Sequence, residues 1–194
     1  MPTIEFYFDY RSPYSYLAHC QLQRMPVVIS YHPFDIRHLM EQVGNVPTTV
    51  TCKAKGQYAK ADIQRWTARY EVPFQRHSNM RAIDFLQLLR LTAFAINQGK
   101  GPAVITALYD AVWASDTPLS TPDEIVAALA GTGLRSEEIE VGMNDPAWNE
   151  VLGASTQTAV DKGVFGAPTM FLGDEMYFGN DRLHFIDEKL KELA

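Results

Sequence analysis

The stretch FYFDYRSPYS, residues 6–15, has the outline of a redox site with the sulfur removed. An apolar strand runs into a turn, and a proline opens the helix that follows. In a redox protein of this shape the turn carries Cys-x-x-Cys; here Ser12-Pro13-Tyr14-Ser15 fills the spacing. A serine cannot form a disulfide, so thiol–disulfide exchange is closed to this turn. A serine nucleophile would need a base, and His19 lies on the same helix. Seven residues at 1.5 Å each put His19 about 10 Å along the axis from Ser12, whereas a general base must come within about 3 Å. Ser15 is nearer to His19, but no acid partner is evident, so Ser15 reads as a helix residue in the second cysteine's place.

The elements that must hold Ser12 are legible around it. Residues 3–9 are β-branched and aromatic with partial alternation, a strand. Ser12 is a natural N-cap and Pro13 suits the first helical turn, where its missing N–H costs nothing. The helix runs to about Gln23, Pro26 follows it, and Met25 to Phe34 reads as a second strand. Strand, helix and strand make a βαβ unit with parallel strands and a right-handed crossover. After the break at GNVP (residues 44–47) the signal is helical: 61–70, 78–97, 104–115, a capping box Thr121-Pro122-Asp123-Glu124, and a last segment from Pro146 toward Lys162. Strands return at 169–172 and 175–178 as a hairpin. Asn180 or Asp181 then caps a final helix whose Leu183, Phe185, Ile186 and Leu190 face the core.

The economical assembly is an α/β fold: a four-stranded mixed sheet, β-α-β then β-β-α, interrupted by an all-helical insertion. Residues 1–44 and 156–194 would form the sheet domain and 45–155 the insertion. This topology brings the turn holding Ser12 close to the loop Gly166-Ala167-Pro168-Thr169. A cis Pro168 would expose the N–H and C=O of Ala167 to a peptide-like ligand; a trans Pro168 would merely start a strand. The residues alone leave the two equal.

Composition excludes several classes. Seventeen basic residues against 23 acidic ones give a net charge of −6 with no dense basic cluster, which argues against a nucleic-acid partner. No run approaches the roughly 18 apolar residues of a membrane span, and no signal peptide is visible, so the chain reads as cytoplasmic with no membrane partner. Cys20 and Cys52 form no dithiol or metal motif and read as reduced thiols.

The pairing of SPYSYLA (12–18) with GVFGAPTMFLGDEMYFGNDRL (163–183) resembles the 2-hydroxychromene-2-carboxylate isomerases. These are grouped with the kappa-class glutathione transferases in the DsbA-like branch of the thioredoxin superfamily. The resemblance covers essentially the whole chain. It implies a thioredoxin-like fold, a cis Pro168, a homodimer and glutathione as cofactor. It also implies an aromatic carboxylate substrate, interconverted between 2-hydroxychromene-2-carboxylate-type and trans-o-hydroxybenzylidenepyruvate-type compounds through a transient glutathione adduct.

Physical chemistry then gives Ser12 a catalytic role. Its hydroxyl can donate to the sulfur of bound glutathione, and the helix N-terminus adds about half an elementary positive charge. Together they favour thiolate over thiol. By matching positions, the resemblance adds Asn45, Lys55 and Asp62 as glutathione-binding residues. Lys55 would meet a carboxylate and Asp62 the α-ammonium, within one subunit or across a dimer interface. Ala167 and Pro168 would present the peptide edge, and Phe178, Gly179, Asn180 and Asp181 would grip the γ-glutamyl end. Their plain alternatives are a solvated lysine, a helix-start aspartate and ordinary caps. For the substrate carboxylate a cation beside aromatic surface is needed, and Arg81 is the candidate. The segment FQRHSNMRAID (74–84) departs from the family pattern around its basic residues. Two other functions use the same features: a kappa-like transferase that conjugates glutathione to electrophiles, and a non-catalytic thioredoxin-like binding module.

Overall fold

The computed structural model describes residues 1–192. Strand β1 (Thr3–Phe8) is the centre of the fold. Its alternation sends Ile4, Phe6 and Phe8 into the larger of two apolar clusters and Tyr7 into the smaller, as a pleated strand covered on both faces must. Helix α1 (Pro13–Leu22) follows, then β2 (Val28–Pro33), which pairs parallel with β1. Strands β3 (Thr169–Leu172) and β4 (Glu175–Phe178) form the hairpin, and β3 lies antiparallel to β1. The sheet order is β2-β1-β3-β4, the mixed four-stranded arrangement expected.

Between β2 and β3 the chain is helical: α2 (Ile36–Gln42), α3 (Thr48–Thr51), α4 (Lys53–Tyr70), α5 (Phe85–Asn97), α6 (Gly101–Trp113), α7 (Pro122–Ala128), α8 (Ser136–Asn144) and α9 (Ala147–Asp161). Helix α5 carries Phe85, Leu88, Leu89, Leu91 and Phe94 into the larger cluster and packs against α6, α8 and α9. That cluster also holds Phe6, Phe8, Tyr10 and Leu17, so the insertion and the sheet share apolar contacts. Helix α9 runs without a break across residues 155 and 156.

Several local expectations change. Helix α5 starts at Phe85 rather than Ser78, because Asp84 caps it by accepting from the Gln87 N–H, while 78–82 is a turn. The last helix, α10 (Leu183–Glu192), follows a 3₁₀ turn at Asn180–Arg182, and neither Asn180 nor Asp181 makes a side-chain cap. Phe185 is 46% exposed and lies tilted against His184, since Leu183, Ile186 and Leu190 already fill the buried stripe.

Candidate active site

Ser12 is the N-cap of α1, with φ −94° and ψ 112°, and its Oγ accepts from the Ser15 N–H at 3.2 Å. The same hydroxyl donates to the Ala167 carbonyl at 3.0 Å. The Ala167–Pro168 bond is cis. The two remote segments therefore meet, with Ser12 only 8% exposed and Ala167 half-buried. The Pro168 carbonyl accepts from the Gly179 N–H at 2.9 Å, which ties this loop to the segment 178–181.

The turn leading to Ser12 is built on a buried carboxylate that the sequence did not single out. Asp9 is fully buried; its carboxylate accepts from the Arg11 N–H, the Arg11 guanidinium and the Ile36 N–H, and its carbonyl accepts from the Ser12 N–H at 3.1 Å. Arg11 also reaches Asp35 at 3.1 Å and lies over the Phe85 ring, 5.4 Å from its centroid. Burial pushes the Asp9 carboxyl up, and the Arg11 cation partly offsets this. A short surface-looking run, Asp9 to Arg11, thus becomes an interior ion pair, met by Asp35 and Ile36 at the start of α2 and by the Phe85 ring.

Lys55 and Asp62 come to the same end of α1. Tyr14 donates to Asp62 Oδ2 at 3.0 Å, and Tyr58 donates to Oδ1 at 3.5 Å. Tyr14, Thr49, Ala54, Lys55, Tyr58 and Ala59 line a groove of about 470 Å³. Burial, then the bond to Asp62, raises the Tyr14 phenol above its ordinary range. Asn45 is placed otherwise: its Nδ2 donates to the Phe165 carbonyl at 2.7 Å and its Oδ1 accepts from the Val46 N–H, so it fastens the 43–47 loop to the segment before Gly166.

Phe178 is 42% exposed and packs on Phe165, itself 41% exposed, with ring centroids 4.5 Å apart. Phe165, one residue before Gly166, was missed by the sequence; an exposed aromatic beside a glycine carries no periodic signal. Asn180 is buried; its carbonyl accepts from Tyr70 OH at 2.9 Å and its side-chain amide donates to the same oxygen. Asp181 pairs with Arg182. Arg81 is exposed on the 78–82 turn and lines a separate cavity with residues 76–80. His19 bonds Thr106 at 3.1 Å and Tyr31 at 3.5 Å, not a serine, and burial lowers its pKa to about 3. Cys20 and Cys52 are free. Among the described residues no cluster of His, Cys, Asp and Glu could hold a metal, and no helix is long and apolar enough to cross a membrane.

Glutathione fits the donors present. The groove is of ligand size and offers an exposed cation at Lys55 and an oriented carboxylate at Asp62. Tyr14, in the first turn of α1, lines the groove, and Ser12 caps the same helix end with its hydroxyl on the Ala167 carbonyl.

A sheet of this order, with a serine N-cap set against a cis-proline loop and a helical insertion after β2, defines a DsbA-like thioredoxin protein in which Ser12 and Ser15 replace the two cysteines. The family model described as a DSBA-like thioredoxin domain matches residues 3–191. A 2-hydroxychromene-2-carboxylate isomerase of Sphingobium xenophagum is 33% identical over 193 residues, covering 97% of this chain and 97% of that protein. A solved 2-hydroxychromene-2-carboxylate isomerase superposes with a TM-score of 0.85 at 31% identity, covering 98% of this chain and 95% of the other. Glutathione S-transferase kappa 1 of Caenorhabditis elegans is 25% identical over 215 residues, covering 99% of this chain and 92% of that protein. The chain belongs to the 2-hydroxychromene-2-carboxylate isomerase family.

Proposed function

We propose that the protein is a glutathione-dependent isomerase, interconverting 2-hydroxychromene-2-carboxylate-type and trans-o-hydroxybenzylidenepyruvate-type compounds. The observation that carries this reading is the Ser12 hydroxyl, held at the N-terminus of α1 between the Ser15 N–H and the Ala167 carbonyl. When bound, glutathione supplies a sulfur nucleophile that is returned unchanged. Ser12 has one proton; turned from Ala167 toward a sulfur, it donates that proton as a hydrogen bond and, with the helix end, holds the thiolate form. The Ala167 carbonyl is then free for a peptide N–H. Lys55 would meet a glutathione carboxylate and Asp62, oriented by Tyr14, the α-ammonium. Gly179 to Asp181 would receive the γ-glutamyl end, with Phe178 beside them, and Asn45 would hold the loop that borders it. Arg81 would face the substrate carboxylate. A cytoplasmic homodimer belongs to the same reading.

The test is calorimetric titration with glutathione of the wild type and a Ser12→Ala variant, with the thiolate absorbance followed in the ultraviolet. The wild type should bind and develop the thiolate band, and Ser12→Ala should lose it. Turnover of a chromene carboxylate should leave total glutathione unchanged. The kappa-class relative favours one second reading, conjugation of glutathione to electrophiles; net consumption of glutathione without isomerised product would replace the first reading by it.

A further inference from the structure

The loop between α4 and α5 rests on residues that flank Ser12. At one foot, Tyr16 OH donates to the Pro73 carbonyl at 2.6 Å, and Phe74 stacks on Trp113 with centroids 5.7 Å apart. Trp113 in turn donates from Nε1 to the Tyr10 carbonyl at 2.8 Å. At the other foot, the Phe85 ring carries the Arg11 guanidinium. Tyr10 and Arg11 precede Ser12, and Tyr16 is one turn beyond it.

Between these feet the chain makes a concavity of about 540 Å³, lined by Arg76, His77, Ser78, Asn79, Met80 and Arg81. Its backbone is pinned: the Gln75 and His77 N–H groups donate to the Trp113 and Val112 carbonyls at 2.6 and 2.9 Å. His77 is buried; its Nδ1 accepts from the Asn79 N–H at 3.0 Å and its Nε2 bonds the Thr117 carbonyl at 3.1 Å. The nearby Asp116 carboxylate is taken by the Ser78 N–H at 2.6 Å, lies 3.7 Å from His77 Nδ1 and does not line the concavity. Arg76 and Arg81 are exposed, and among the described residues neither enters an ion pair.

In a chain of net charge −6, two guanidiniums without an ion-pair partner, both lining one hollow whose backbone is pinned, select an anion. Guanidinium forks match planar carboxylates, and Met80 adds an apolar wall. We infer that this loop is a carboxylate clamp: Arg76 and Arg81 together bind the carboxylate of an aromatic or conjugated 2-oxo or 2-hydroxy acid. This rests on the isomerase reading for the identity of the acid and goes beyond it in making Arg76 a specificity residue. The carboxylate is common to both partners of the isomerisation, so the clamp holds it throughout while the bond between its neighbouring carbon and the ring oxygen breaks and re-forms, the 2-hydroxyl proton passing to the phenol oxygen and back.

The test uses chromone-2-carboxylate, a bicyclic acid whose carboxylate sits on the carbon beside the ring oxygen as in the chromene acid, and its neutral carboxamide as probes, titrated by calorimetry. Titrations compare the full-length wild type with Arg76→Gln, Arg81→Gln and the double variant. Both arginines are exposed, so the fold should survive, and unchanged glutathione affinity and melting temperature verify that it does. The carboxylate should bind the wild type and bind the double variant at least tenfold more weakly, with each single variant between, while carboxamide affinity stays the same in all four. Failure of the wild type to bind the carboxylate, or equal affinity in the double variant, overturns the clamp. Arginine-dependent binding in a protein that does not isomerise upholds the clamp and removes the isomerase reading. Isomerisation with an unchanged KM in the double variant does the reverse.

Discussion

The Ser12 hydroxyl donates to the Ala167 carbonyl at 3.0 Å across 155 positions of sequence. One side-chain proton thereby joins the N-terminus of α1 to the loop before β3, and the same oxygen caps the Ser15 N–H. Replacing Ser12 by alanine removes the cap and the cross-link, so stability should fall by about 1–2 kcal/mol, read from a urea melt. Loss of a hydrogen-bond donor to developing negative charge should lower isomerase turnover by about 10²-fold. A stability loss without a turnover loss would leave Ser12 a cap and nothing more.

Asp62 is oriented by two tyrosines, Tyr14 at 3.0 Å and Tyr58 at 3.5 Å, on a helix that buries none of its residues. Changes on such a helix should move stability by less than about 0.5 kcal/mol. Glutathione affinity is the sensitive readout. Asp62→Asn should raise Kd about tenfold or more by removing a charge-assisted contact, and Tyr14→Phe should raise it less, because the carboxylate stays but loses its better donor. Calorimetry on both variants checks the order; equal affinity in Asp62→Asn would remove Asp62 from the site.

The strands, α1 and the hairpin were readable because their signals are local: alternation in β1, a Ser-Pro cap, a Gly-Asp turn. Helix α4 was read from residue 61 but begins at Lys53; it buries none of its residues, so no apolar stripe marks where it starts. Helix α8 went unread for a different reason. Gly142, a breaker in sequence, sits in α8 against α5, where a Cβ would lie 2.7 Å from Leu91 and 2.9 Å from Phe94. Ser12 and the loop at Ala167 were legible as separate pieces, and topology joined them. The Asp9–Arg11–Asp35 cluster and the Tyr14–Asp62 bond were not, since each depends on which distant surface covers a charged residue.

Two glycines separate backbone need from accident. Gly179 has φ +96°, and a Cβ there would lie 2.5 Å from Asp181 Oδ1. Gly179→Ala should therefore cost about 1–2 kcal/mol and disturb the bond to the Pro168 carbonyl. Gly153 is exposed in α9 with nothing within 4 Å of a built Cβ, so Gly153→Ala should stabilise by about 0.5–1 kcal/mol. Paired thermal melts read both. Shifts of the same sign would contradict the assignment.

His19 gives the protein a predictable acid limb. The ring is 1% exposed, stacks on Tyr109 with centroids 5.0 Å apart, and has its pKa lowered from 6.5 to about 3 by burial. The unfolded chain therefore binds a proton that the folded chain refuses between these values. The stability from a neutral His19 is fully present above about pH 6.5 and is lost as pH falls toward 3. Asp9 works with the opposite sign, because burial raises its pKa and its native form favours the proton. The wild-type curve is thus a sum, and a difference isolates His19. His19→Gln keeps a group able to bond Thr106 but cannot charge, so its urea midpoint should fall less steeply between pH 6.5 and 3 than the wild type's. At neutral pH it should be the less stable protein, having lost the ring's stacking on Tyr109 and Phe6. The two curves should converge as pH drops. Parallel curves would mean that His19 titrates in the folded state as it does in the unfolded chain, and that the acid limb belongs to other groups.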